Sequence, residues 1–91
     1  MTMTPFADYL FQLRRARGLR QRELATRLGL GAAYISALEA ARKDPPSIKQ
    51  LGRLTEAMAL TTAESAELVR FAELSRTVVI IFGSTTNREI C

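Results

Sequence analysis

Apolar residues recur every three or four positions along most of the chain, and a glycine, a proline or a polar turn closes each such stretch. Phe6, Leu10, Leu13 and Arg17 share one face, with Tyr9 and Ala16 beside them, which predicts a helix over 5–17. Thr4 can cap it, and Pro5 suits its first position, where the missing N–H costs nothing. Gly18 can take the left-handed conformation that ends it. Leu24, Ala25 and Leu28 predict a second helix over 21–28, stopped in the same way by Gly29. Tyr34, Ile35 and Leu38, with Ala41 at the far end, predict a third helix over 32–41 with these residues turned inward. Arg42, Lys43, Asp44, Pro45 and Pro46 make a polar, proline-stopped loop. Ser47 is a ready N-cap for a fourth helix, in which Ile48, Leu51, Leu54 and Met58 follow helical spacing. Thr61 with Glu64 fits the capping box of a fifth helix ending near Ser75, its apolar surface supplied by Leu68, Phe71, Ala72 and Leu74.

The period then changes. Thr77–Phe82 (TVVIIF) is β-branched and aromatic and is closed by Gly83 and Ser84, so it reads as one short strand in an otherwise helical chain. A lone strand cannot satisfy its own backbone donors and acceptors. The economical partner is the same strand of a second copy, paired across a two-fold axis, with Phe71, Val78, Val79, Ile80, Ile81 and Phe82 as the dimerisation residues. An apolar tail packed on the helices is the alternative. The expected architecture is therefore all-α, a compact bundle of five helices plus one C-terminal β-strand. Residues 1–60 form its core, 61–84 a dimerisation element and 85–91 a frayed tail.

Composition narrows the functions. Ninety-one residues make one small domain. Histidine is absent, which removes the usual general base and metal ligand. The single cysteine, Cys91, excludes an internal disulfide and makes a metal cluster improbable. No spacing of Ser, Thr and Glu would activate a nucleophile, so the chain is expected to be neither an enzyme nor a holder of cofactor, metal or small molecule. The longest apolar run, Val78–Phe82, is far too short for a membrane span, and no leader pattern is present, which points to the cytoplasm. The net charge of +4 is uneven. Residues 1–60 carry ten Lys/Arg against five Asp/Glu, whereas residues 61–91 carry three against four. A basic front suits a polyanion, although arginines solvated on helix surfaces give the same count.

The most informative stretch is Gln21–Glu39, QRELATRLGLGAAYISALE. It holds two short helices around a glycine turn, with small Ala25 at their crossing and Leu24, Leu28, Ile35 and Leu38 wedged between them. Its pieces are R-x-x-x-G-L-x-Q-x-x-L-A, L-G-L, Y-I-S-x-L-E and P-S-I-x-x-L, spread over Leu10–Leu60. In this the chain resembles the lambda-repressor-like, Cro-type (XRE) helix-turn-helix family. The resemblance implies a bundle of four or five helices whose third helix is the recognition helix, binding operator DNA as a two-fold dimer. It implies a buried salt bridge between Arg14 and Glu39, so Arg14 is not a DNA ligand. It places Gln21 where the family contacts phosphate and sometimes a base edge, and Arg20, Arg22, Arg42 and Lys43 as phosphate candidates. Tyr34 falls at a position often half-exposed.

The recognition helix departs from the family pattern. Ala32, Ala33, Ser36 and Ala37 stand where Gln, Arg, Lys or Asn are frequent, and none of them offers a bidentate base contact. Gly31 and Arg20 replace the usual Ser or Thr helix caps. Readout through phosphate contacts and DNA shape, a closer approach of the helix backbone to the groove, and a helix-turn-helix kept as a protein-binding scaffold all remain open. The expected function is a DNA-binding transcriptional regulator, repressor or autoregulator, working as a homodimer. The alternative is an interaction module or antitoxin-type protein, whose C-terminal helix and strand hold a partner protein.

Overall fold

The computed structural model describes residues 4–90, with side chains through Arg76. Five helices follow in order: α1 Pro5–Ala16, α2 Gln21–Leu28, α3 Ala32–Glu39, α4 Ile48–Met58 and α5 Thr62–Ile90. Their ends are set by local chemistry. The Thr4 hydroxyl accepts the Ala7 N–H at the start of α1, and Ser47 accepts the Gln50 N–H at the start of α4. Thr61 and Glu64 exchange reciprocal hydrogen bonds ahead of α5, at 3.1 and 2.9 Å, as the capping box requires. Arg20 caps α2 with no side-chain acceptor of its own. The start is held instead by Glu23, whose carboxylate accepts the Arg20 backbone N–H at 2.7 Å.

One apolar cluster holds all five helices. Leu10 and Leu13 of α1, Leu24 and Leu28 of α2, Ile35 and Leu38 of α3, Leu51, Leu54 and Met58 of α4, and Leu68 and Ala72 of α5 are each buried in it. Each large side chain contributes roughly 1.5–3 kcal/mol by leaving water. The turn between α2 and α3 depends on Gly29, at φ +70°, after which the Leu30 N–H reaches back to the Ala25 carbonyl at 2.9 Å. Nothing lies within 4 Å of a Cβ built there, so the turn needs glycine for its dihedral angle and not for space.

Two tethers bind α5 to the rest at Ser75 and Arg76. The buried Ser75 hydroxyl accepts the backbone N–H of Phe6 at 3.0 Å, satisfying a first-turn donor of α1. The Arg76 guanidinium donates to the carbonyls of Pro45 and Pro46 in the loop before α4.

One expectation is corrected. The segment Thr77–Phe82 is not a strand: α5 continues through it, and no strand occurs among the described residues. Extending a helix adds one internal backbone hydrogen bond per residue, and β-branched residues reduce that gain by only some tenths of a kcal/mol each. An isolated strand satisfies none of its backbone groups. The side chains of Val78, Val79, Ile80, Ile81 and Phe82 lie outside the described residues, as does Cys91. Phe71 is half-buried within its own chain, edge-on to Tyr9 with ring centroids 5.0 Å apart, which leaves its expected place at a dimer contact untouched. Ile48, which follows the helical spacing of α4, and Leu74, part of the apolar surface of α5, are 62% and 42% exposed. Ile48 is the first residue of α4, beyond the reach of the core, and Leu74 is about 100° round the helix from buried Ser75.

Candidate nucleic-acid interface

Glu39, the last residue of α3, is 6% exposed and binds two other elements. Arg14 of α1 donates from Nε to Oε2 at 2.6 Å and from Nη2 to Oε1 at 2.9 Å, a bidentate pair. Its Nη1 donates to the Leu19 carbonyl at 2.7 Å, so the same guanidinium also fixes the turn leading into α2. Gln21, the first residue of α2, donates from Nε2 to Glu39 Oε1 at 3.0 Å. One carboxylate thus locks the ends of α1, α2 and α3 together, and the expected Arg14–Glu39 pair is present.

A shallow surface hollow of about 260 Å³ opens over this lock, lined by Phe11, Gln21, Ser36, Glu39 and Ala40. It places Gln21 beside the outward side of α3. Along that helix Ile35, Leu38 and Glu39 are buried, Ala33 and Ala40 are exposed, and Ala32, Ser36 and Ala37 are intermediate. Tyr34 is half-buried and packs against the core. The outward surface of α3 is therefore nearly flat, with Ser36 as its one side chain able to hydrogen-bond a base. Ala40 and Phe11 were missed by sequence reasoning. Ala40 falls past the motif's last position, and Phe11 looks like a further apolar residue of α1.

The arginines divide into two sets. Arg17 donates to the Met58 carbonyl at 2.5 Å and to Glu64 at 2.6 Å. Arg27 donates to the Ala57 carbonyl and Arg53 to the Leu28 carbonyl, each guanidinium sealing the C-terminal end of another helix. Arg70 pairs with Glu67, Arg76 binds the proline loop, and Arg15 lies 5.4 Å from the Phe11 ring centroid. Among the described residues, Arg20, Arg22, Arg42, Lys43 and Lys49 are exposed, and their side chains make no hydrogen bond, ion pair or ring contact. Arg20 and Arg22 flank Gln21 at the start of α2, Arg42 and Lys43 follow the end of α3, and Lys49 stands in the first turn of α4. Four of the five are the residues expected to meet phosphate. Lys49, two residues after the Ser47 cap, was not singled out in the sequence, where it falls outside the helix-turn-helix motif.

No group of His, Cys, Asp and Glu among the described residues could hold a metal ion. The model of a family described as a helix-turn-helix domain matches residues 5–68, from the start of α1 into α5. No curated protein and no solved structure matches the chain.

Proposed function

Because the chain belongs to the helix-turn-helix domain family, we propose that it is a sequence-specific DNA-binding transcriptional regulator, a repressor or autoregulator, which binds operator DNA as a homodimer and needs no cofactor. The observation that carries this reading is the division of the cations. Among the described residues six arginines are engaged by carbonyls or carboxylates, while the five cations left free stand at the start of α2, after α3 and at the start of α4. Free, exposed guanidinium and ammonium groups at those three places suit phosphates on either side of a helix lying in the major groove. Arg20, Arg22, Arg42, Lys43 and Lys49 bind the backbone. Ala32, Ala33, Ser36 and Ala37 face the base edges, and the Tyr34 hydroxyl reaches a phosphate. The second copy docks through α5, which carries exposed Leu74 and the apolar run Val78–Phe82, in helix packing rather than strand pairing. The mechanism is occupancy of a promoter, in the cytoplasm, with regulation by protein concentration.

The test is binding to the DNA upstream of its own gene, against a scrambled duplex, at two salt concentrations. Preference for the upstream duplex that survives the higher salt supports the proposal. Binding that ignores sequence and collapses with salt overturns it and favours the scaffold reading with a protein partner.

A further inference from the structure

The Gln21 side chain stands at the rim of the hollow beside α3, yet one of its two amide hydrogens is committed to Glu39. A carboxylate paired bidentately with Arg14 is an acceptor only, so the amide nitrogen and not the amide oxygen must face it. That fixes which way the amide lies. The second Nε2 hydrogen and Oε1 are left as one donor and one acceptor, side by side. Adenine presents a complementary pair in the major groove, the N7 acceptor and the N6 donor, whereas guanine presents two acceptors. A freely turning glutamine could offer either arrangement.

We infer that Glu39, held by Arg14, is a positioning residue that fixes the Gln21 amide as a reader of adenine in operator DNA. This deepens the DNA-binding proposal and rests on it. Glu39 does not touch the base; it acts through Gln21. With α3 nearly flat, Gln21 is the one side chain bordering the hollow that can make a bidentate base contact.

The test starts from duplexes selected from a randomised pool by the wild-type protein. Gln21→Ala should lose about tenfold in preference for adenine over guanine at one position per half-site. The variant Arg14→Met with Glu39→Met removes the lock while leaving apolar groups of similar length, and it keeps Gln21. It should lose the same preference at the same position, with the salt dependence of binding unchanged. A double variant that folds and keeps the adenine preference overturns the inference, as does a Gln21→Ala protein with unaltered base preference. Should the double variant fail to fold, the wild-type protein still decides. In its 15N NMR spectrum the Gln21 side-chain amide should exchange with solvent more slowly than that of Gln50, whose Nε2 donates to no group in the structure. Equal exchange of the two amides sinks the idea. A pool from which no sequence is selected counts against the regulator itself, a distinct failure, because the exchange comparison is unaffected.

Discussion

Ala41 and Ala59 close α3 and α4 at φ +58° and +52°, in the left-handed region where a Cβ crowds the following carbonyl. That conformation disfavours alanine by roughly 1–2 kcal/mol, and glycine avoids it while losing about 0.4–1 kcal/mol through greater freedom when unfolded. Ala41→Gly and Ala59→Gly should each stabilise the protein by about 0.5–1 kcal/mol in urea denaturation. A loss of stability at either position contradicts the backbone angle. Glu64 carries a different signature. The Thr61 backbone N–H, and then the Arg17 guanidinium, hold its carboxyl below the ordinary carboxylate range. A carboxyl whose pKa is lower folded than unfolded adds stability above its ordinary value of 4.5 and loses it as pH falls through the folded value. Glu64→Gln should therefore flatten the decline in melting temperature between about pH 5 and pH 3 relative to wild type. An identical decline in both proteins dismisses the interaction. Burial makes the Arg14–Glu39 pair a sharper case. Arg14→Met alone strands a carboxylate at 6% exposure and should cost about 3–5 kcal/mol.

Helix boundaries were readable wherever a side chain or a glycine enforces them. Thr4, Gly18, Gly29, Ser47 and the Thr61–Glu64 pair announced five starts or stops that the structure keeps within about a residue or two. The end of α5 was not readable, because β-branched composition describes what a segment packs well as, not what its neighbours offer it to pair with. Nor was the contact between α1 and α5 foreseeable. The Ser75 side chain and the Phe6 N–H are 69 residues apart, and hydrophobic periodicity says nothing of where a backbone donor ends. Ser75→Ala should leave that buried N–H unpaired, costing about 1–3 kcal/mol and raising amide exchange in the first turn of α1. Unchanged denaturation and exchange profiles would show that the tether contributes nothing.

On the scale of the whole molecule, the charge excess overstates the number of cations left free among the described residues. None of the helices, over the described residues, is long and apolar enough to cross a membrane. The free set was largely legible because Arg20, Arg22, Arg42 and Lys43 border the two helices of the helix-turn-helix motif. What sequence could not show is that Arg27 and Arg53, equally exposed, are occupied by backbone carbonyls. Replacing Arg42 by Gln should lower the slope of log K against log salt by about 0.9 for each copy bound, while Arg27→Gln leaves the slope as it was. Equal slopes for the two variants would refute the division. Arg42→Glu with Lys43→Glu should abolish DNA binding yet change the folding free energy by no more than about 0.5 kcal/mol.

The same division governs how the sequence can drift over generations. A guanidinium that spans two acceptors, as Arg14 does on Glu39 and Leu19, has no ammonium equivalent, because lysine is a point charge on a flexible stem. At Arg14, Arg17 and Arg76 an exchange for lysine should be purged. At Arg20, Arg22 and Arg42, whose side chains hold no partner in the structure, the two residues should replace one another freely in descendants of this chain.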